Sequence, residues 1–390
     1  MYDFDTLIDR TGTGACKWER RSETEKEDGI LAMSVADMEL PAPPEVREAL
    51  VRAAEHGIYG YTDPTDAYFD AVAGWMHKRH GVSLTARNIV PISGVVPAIS
   101  IAIRAFSLPG DGVIVQPPVY HPFYSCVTLN GRQLERCALL LTADGYRMDF
   151  EALERIARKP TTRLMLLCSP HNPVGRVWTD QELHRLLAIC RAYDVLVLSD
   201  EIHADLTMTA RHLSFSKLNA QARVGSITFV APSKTFNVPG LQCANALIFD
   251  ERLRARFKHQ ARVDGFDNIP YFGRAGAIAA YTGGEAWLGA AIEYIKGNYE
   301  LLKGFLAARL PQARLFEMEG TYLAWIDFRW MGMDAPALER FMRNEARLIL
   351  SEGCVFGEEG AGFERINLAL PRAQLERALI RLADAWDARK

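Results

Sequence analysis

The sequence has no excess of charge of either sign: 45 lysines and arginines against 48 aspartates and glutamates leave a net charge of −3 over 390 residues. No basic stripe interleaved with aromatics is present, so nucleic acid is not an expected partner. No uninterrupted apolar run approaches the ~20 residues that span a bilayer, so no membrane role is expected. The opening stretch MYDFDTLIDR is acidic and polar and does not read as a secretory signal. Cysteines are few and scattered, at positions 16, 126, 137, 168, 190, 243 and 354, and none stands in a CxxC pair. Reduced, mostly buried thiols in a cytoplasmic protein are the expectation. Repeats, low-complexity tracts and blocks of like charge are also missing.

What is present is an apolar fraction of 49%, enough for a large core. From about residue 45 to 285, short apolar runs alternate with amphipathic helical patterns. The runs are NIVPI (88–92), VIVQ (113–116), RLMLLC (163–168), VLVLS (195–199), SITFV (226–230) and ANALIF (244–249). They are apolar throughout, as strands covered on both faces must be. The pattern predicts an α/β domain with a mostly parallel sheet sandwiched by helices. A long helix follows, with Leu288, Ile292, Ile295, Tyr299, Leu302 and Leu306 on one face. LAWIDF (323–328) and RINLAL (365–370), separated by a helical pattern over 335–349, predict a smaller α+β unit. The expected division is an N-terminal segment (1–46) belonging to the small domain, a large domain (47–287) and a C-terminal small domain (288–390).

Lys234 poses the sharpest question. It lies in APSKTFN, just past the SITFV strand, among small and apolar residues. A lysine buried there is costly unless paired, neutralised or used covalently. Four further motifs fall at predicted strand ends, where open α/β sheets gather ligands. SGVVPAIS (93–100) places Ser93 and Gly94 at a helix start, an anion-binding geometry that is also an ordinary helix cap. SPHNPVGR (169–176) offers Asn172, within a turn that Pro and Gly explain by themselves. SDEIHADL (199–206) puts Asp200 directly after a core strand, where a carboxylate needs a cation or several N–H donors. Asp200, Glu201 and His203 match no metal-ligand spacing, so no metal is expected. Arg365 stands at the start of the RINLAL strand. His121 and His171 read as turn histidines satisfied by local backbone, Trp75, Trp287 and Trp325 as core, and Glu201 as a structural acid.

An anion site, an amide, an acid, a histidine, a lysine and an arginine are together what pyridoxal 5′-phosphate (PLP) requires. The phosphate takes the helix N-terminus, the ring nitrogen needs an acid, and the aldehyde needs an amine. An ion pair at 4 Å and an effective dielectric of 20 is worth about 4 kcal/mol. Asp200 beneath the ring nitrogen is therefore expected to raise that nitrogen's pKa by a few units, and a protonated ring stabilises a carbanion at the substrate's Cα. Lys234 is stored as a Schiff base and released as a base.

With these residues in place, the chain resembles fold-type I PLP enzymes, and most closely the cystathionine β-lyase-like branch (the MalY and PatB type) of the class I and II aminotransferases. The marks are KWE (17–19), VADMELPAPP (35–44), GIYGYTD (57–63), SGVV (93–96), PPVYHPF (117–123), HNPVGRVWT (171–179), SDEIHADL (199–206), PSKTFN (232–237) and RINLALPR (365–372). The resemblance implies roles for matching positions. Lys234 holds the cofactor and is the general acid and base. Asp200 pairs with the ring nitrogen, Asn172 and His203 lie near the ring's O3′, and Tyr120 stacks on its face. The backbone of Gly94 and Val95, with Ser233, holds the phosphate. Tyr61 reaches the phosphate of a partner subunit, which implies a homodimer with active sites at the interface. Arg365 binds the substrate α-carboxylate. Glu19, Glu39 and Ser169 depart from the branch's usual residues, and Gln242 and His203 stand where most aminotransferases carry arginine and tyrosine. The last two fit the β-lyase branch.

The expected activity is a carbon–sulfur β-lyase acting on cystathionine or related L-cysteine S-conjugates. An α-amino acid aminotransferase shares the first half of that path. A PLP fold kept for regulation or partner binding is the third reading, against which the intact Lys234, Asp200 and Arg365 argue.

Overall fold

The structure is a computed structural model that describes residues 2–390 apart from 20, 23–24, 27–28 and 267. Seven strands form the main sheet: β1 (Ile89–Ile92), β2 (Gly112–Val115), β3 (Gln133–Arg136), β4 (Thr162–Cys168), β5 (Leu196–Asp200), β6 (Ser226–Val230) and β7 (Ala244–Leu247). Their spatial order is β1-β7-β6-β5-β4-β2-β3. All neighbours are parallel except β7, which runs antiparallel to both β1 and β6. Every residue of β2 and β6 is buried, which explains runs that are apolar without alternation. Side chains of one strand still part by the pleat. Leu164, Leu166 and Cys168 of β4 join the core on one face, and Met165 and Leu167 the core on the other.

The sequence pattern missed β3, whose residues QLER are half to fully exposed at the sheet edge and so lack an apolar run. It also did not anticipate the hairpin of Leu140–Thr142 with Gly145–Arg147.

The principal helices are α1 (Pro44–Glu55), α2 (Asp66–His80), α3 (Val95–Phe106), α4 (Asp180–Ala192), α5 (Glu251–Val263), α6 (Tyr271–Gly283), α7 (Glu285–Arg309) and α8 (Arg372–Asp387). α3 and α5 cover one face of the sheet, and α4 covers the other. α4 begins with a capping box, in which Thr179 and Glu182 satisfy each other's backbone N–H groups. On α7, Trp287, Leu288, Ala291, Ile295, Leu302 and Leu306 are buried at helical spacing. Asn298 lies on the same buried face, where its amide donates to the carbonyls of Leu368 and Leu370, both at 2.9 Å.

A second, antiparallel sheet contains β8 (Arg314–Leu315), β9 (Leu323–Asp327), β10 (Ser351–Glu352) and β11 (Phe363–Asn367), in the order β8-β9-β11-β10. Here two expectations are corrected. Arg365 occupies the middle of β11, because Phe363 and Glu364 already pair with Asp327 and Ile326. The helical pattern over 335–349 breaks: a helix at Ala335–Arg340 widens over Phe341–Glu345 and stops at Arg347, which has φ +54°. Leu348–Ile349 then pairs in parallel with Leu31–Ala32. The N-terminal stretch is tied further across the small sheet by Asn367, whose amide donates to the carbonyls of Val35 and Asp37, each at 2.7 Å. No helix among the described residues is long and apolar enough to cross a membrane.

Candidate active site

The C-terminal ends of β4, β5 and β6, the start of α3, the N-terminal stretch and β11 surround a cavity of about 620 Å³. Val95, Tyr120, Asn172, Asp200, His203, Ser233, Lys234 and Arg365 line it. These residues come from widely separated motifs, and the structure brings them together. Gly94 stands beside them as the residue that precedes α3. Among the described residues no side chain caps α3, so its first N–H groups are open to an anion.

Lys234 sits in a single helical turn, Pro232–Thr235, directly after β6. Its Nζ donates to the carbonyl of Ala36 at 2.5 Å. Burial lowers its ammonium to about 8, with Arg365 pushing the same way and Asp37 and Asp200 opposing. That value leaves a useful fraction of free amine near neutral pH.

Asp200 is the last residue of β5 and is buried. Its Oδ1 accepts from the Ile202 N–H at 3.1 Å. Burial pushes its carboxyl up to about 7, with Glu201 adding to the effect while that N–H and Lys234 oppose it. A carboxyl so poorly compensated is suited to receive a cationic N–H. The adjacent Glu201 has the opposite character. Burial works against its charge, but His212 at 3.1 Å and the Phe215 N–H at 2.7 Å hold it below the usual carboxylate range. Glu201 is thus the structural acid expected.

Arg365 is buried, and its guanidinium is fixed on three sides. Nη1 donates to Asn172 Oδ1 at 2.8 Å, and Nη2 to the Ser34 carbonyl at 2.8 Å and to Ser351 Oγ at 3.0 Å. The plane lies over Phe356, 4.7 Å from the ring centroid. Its Nε has no hydrogen-bond partner among the described residues. Burial lowers it to about 10. No carboxylate pairs with it among the described residues, so a positive charge is held ready for an anionic guest. His203 is buried, its Nδ1 has no partner among the described residues, and burial, Lys234 and Arg365 all keep it neutral. Tyr120 is half-buried, and burial and Asp200 push its hydroxyl up to about 12, so it stays protonated.

Other expected residues lie elsewhere. Tyr61 is fully exposed and does not line the cavity of its own chain. Gln242 is exposed and likewise outside the lining. His171 is buried with Nε2 2.9 Å from the Pro118 carbonyl, as a satisfied turn histidine. His121 instead lines the cavity, exposed, with its ring near Tyr120 and Phe356. Trp75, Trp287 and Trp325 are buried in the core.

Three contributors were not singled out from the sequence. The Ala36 carbonyl carries no residue-type signal. Tyr322, whose hydroxyl donates to that carbonyl at 2.9 Å, adjoins an apolar run that reads as core. Lys17, Asp37, Glu39 and Arg10 form a compact ionic network beneath the N-terminal stretch, with Lys17 2.9 Å from Asp37 and 2.8 Å from Glu39. KWE and ADMEL served only as family marks, although a buried lysine in one and two acids in the other gave the chemical hint.

The residues present fit PLP. Uncapped N–H groups at α3 and Ser233 suit its phosphate, Asp200 its ring nitrogen, Tyr120 its face, and Lys234 its aldehyde. Comparison with known proteins points the same way. Residues 28–382 match the family model for aminotransferase class I and II. The chain is 39% identical to cystathionine β-lyase PatB of Bacillus subtilis over 98% of this chain and 99% of that protein. It is 32% identical to protein MalY of Escherichia coli over 99% of both chains. The crystal structure of cystalysin from Treponema denticola, which contains PLP, superimposes with a TM-score of 0.96 at 38% identity, covering all of both chains. With most of its length matched by the family model and a relative at this identity, the chain belongs to the class I and II aminotransferase family of fold-type I PLP enzymes, in its cystathionine β-lyase-like branch.

Proposed function

We infer that the protein is a PLP-dependent carbon–sulfur β-lyase that cleaves cystathionine or related L-cysteine S-conjugates to a thiol, pyruvate and ammonia. The observation that carries this reading is the placement of Lys234, lowered to about 8, in one cavity with the unpaired Arg365 and the buried Asp200. PatB and a relative from Corynebacterium glutamicum, 30% identical to this chain, are named cystathionine β-lyases.

PLP, when bound, supplies an electron sink for negative charge developing at the substrate's Cα. The chain supplies the rest. Arg365 grips the α-carboxylate with N–H groups already aimed by Asn172, Ser34 and Ser351. Lys234 takes the Cα proton as the free amine. The Cβ–S bond then breaks, with its electron pair leaving on sulfur, and a proton returns to give the thiol. Water completes the conversion of the remaining fragment to pyruvate and ammonia. With PLP bound, Asp200 would pair with the ring nitrogen, Asn172 and His203 would serve the O3′ side, Tyr120 would cover the ring, and Gly94, Val95 and Ser233 would hold the phosphate. Tyr61, exposed here, completes the phosphate site of a second copy in a homodimer. The N-terminal segment 1–46 and residues 288–390 act as the small domain against the large domain 47–287, and the working compartment is the cytoplasm.

The test is purified protein with PLP and L-cystathionine, without keto acid, followed by visible spectrum and by assays of pyruvate, thiol and ammonia. Continuous release of all three is expected. A single-turnover spectral change that restarts only on adding keto acid overturns the lyase reading in favour of an aminotransferase.

A further inference from the structure

Two of the buried carboxylates, Glu201 and Asp205, take no part in the chemistry above. Each stands behind a residue that serves the cofactor. Glu201 follows Asp200 directly, and Asp205 accepts from Thr235, the neighbour of Lys234. The pleat of β5 turns Asp200 and Glu201 apart. Leu198 joins the core under α3 and Asp200 lines the cavity, whereas Val197 joins the core on the opposite face. Glu201 belongs to that opposite side, where its Oε1 accepts from Ser199 Oγ at 3.0 Å. The Phe215 N–H reaches the same oxygen at 2.7 Å, and His212 Nε2 lies 3.1 Å from Oε2. Nδ1 of His212 has no partner among the described residues, so the ring spends its N–H on Glu201. The same ring meets His80 edge to face, with centroids 5.6 Å apart, and His80 Nε2 lies 2.8 Å from Asp205 Oδ1. Glu201, His212, His80 and Asp205 thus form one buried strip behind the cavity, from Asp200 to the Lys234 turn. Arg79 approaches its Asp205 end at 3.7 Å. No lysine or arginine pairs with Glu201 among the described residues.

An uncharged side chain could accept the same donors. What a carboxylate adds at 1% exposure is a negative charge next to Asp200 that little solvent screens. A like charge favours the protonated form of its neighbour, and it favours equally a proton shared between that neighbour and a ring nitrogen. We propose that Glu201 is a positioning residue for the cofactor: held as a carboxylate by His212, Ser199 and the Phe215 N–H, it acts through Asp200 to keep the ring nitrogen protonated. The other groups facing Asp200 do not supply this charge. Lys234 opposes it, as does the Ile202 N–H, while Tyr120, Cys126 and Cys168 are kept neutral by burial. The proposal rests on Asp200 serving the ring nitrogen and is independent of the lyase reading.

Two NMR titrations test it, and neither reads turnover. In cofactor-free protein with isotope-labelled aspartate carboxyls, Asp200 is the resonance that Asp200→Asn removes. Its midpoint, about 7 in the wild type, should fall in Glu201→Gln by about tenfold in proton affinity. In holoenzyme carrying PLP labelled at the ring nitrogen, that nitrogen should lose its proton at lower pH in Glu201→Gln than in the wild type. The double variant Glu201→Gln with His212→Gln replaces the pair by two amides that can bond each other. It should show the same two shifts, and it serves where the single substitution leaves a buried histidine unpaired and impairs folding. An unchanged Asp200 midpoint in either folded variant overturns the proposal. So does a ring nitrogen that Asp200→Asn disturbs and Glu201→Gln does not. A ring nitrogen that neither substitution disturbs overturns the pairing of Asp200 with the ring, and the role of Glu201 with it.

Discussion

Arg365 reaches from the middle of β11 to the loop after β4, where its Nη1 donates to Asn172 Oδ1 at 2.8 Å. One contact thus joins the small sheet to the large one inside the cavity, and it aims the guanidinium. A hydrogen bond to a charged group contributes about 1.5–3 kcal/mol. Asn172→Ala should therefore raise KM for amino-acid substrates by roughly tenfold or more by that measure. Asn172→Asp should be worse, because its carboxylate competes with the substrate's for the same arginine. Steady-state kinetics of the two variants decide the matter, and an unchanged KM in both would place the α-carboxylate elsewhere.

Asp200 makes stability depend on pH in the cofactor-free protein. Its folded carboxyl stands at about 7 against an ordinary 3.8, so between those values the folded state holds a proton that the unfolded state has lost. Stability contributed by the neutral acid is complete below the lower value and falls as pH rises through the window. At about 1.4 kcal/mol per tenfold, the loss is about 4 kcal/mol by pH 7. Asp200→Asn escapes it. Thermal unfolding of the two cofactor-free proteins should nearly coincide near pH 4, and the variant should be the more stable above pH 7. Parallel curves across that range would show that the buried acid is already compensated.

These groups differ in how legible they were in the sequence. β4, β5 and β6 were readable because both their faces are buried, which writes an unbroken apolar run. β3 was not, because one edge strand faces solvent. Lys234, Asp200 and Asn172 stood out as polar residues at strand ends, and the structure brings them into one cavity. The Ala36 carbonyl that receives Lys234 lies 198 positions away and has no side-chain signature. The break at Arg347 was hidden for a related reason. Helical periodicity in 335–349 is genuine, but pairing with Leu31–Ala32 overrides it, and a tertiary partner leaves no local mark.

A buried network supports the lysine turn from behind. Thr235, the residue after Lys234, donates to Asp205 Oδ2 at 2.9 Å. Asp205 also meets His80 Nε2 at 2.8 Å and accepts from Trp75 Nε1 at 3.0 Å. Burial opposes its charge, while His80 and these donors hold its carboxyl below the usual range. Removing one partner of such a buried set costs about 3–5 kcal/mol. Asp205→Ala should lower the denaturant midpoint accordingly. Thr235→Val removes a single donor and should cost about 1–3 kcal/mol. Variants as stable as the wild type would mean that the turn is held by its backbone alone.

Lys234 offers the most direct electrostatic test. Burial sets its value of about 8, Arg365 and Lys17 lower it, and Asp37 and Asp200 raise it. Asp37 also pairs with Lys17 at 2.9 Å. Asp37→Asn therefore acts twice in the same direction. It removes a carboxylate that favours the Lys234 ammonium, and it leaves Lys17 less neutralised and more repulsive. Both effects move the titration below about 8. Lys17→Met gives the opposing control, since it removes a repelling cation and should move the titration upward. The measurement is acylation of Lys234 in cofactor-free protein across pH, read by mass spectrometry of the peptide that contains it. A downward shift in the first variant and an upward one in the second establish that the N-terminal ionic network tunes the Lys234 amine, whereas a common midpoint in all three proteins would assign that value to burial alone.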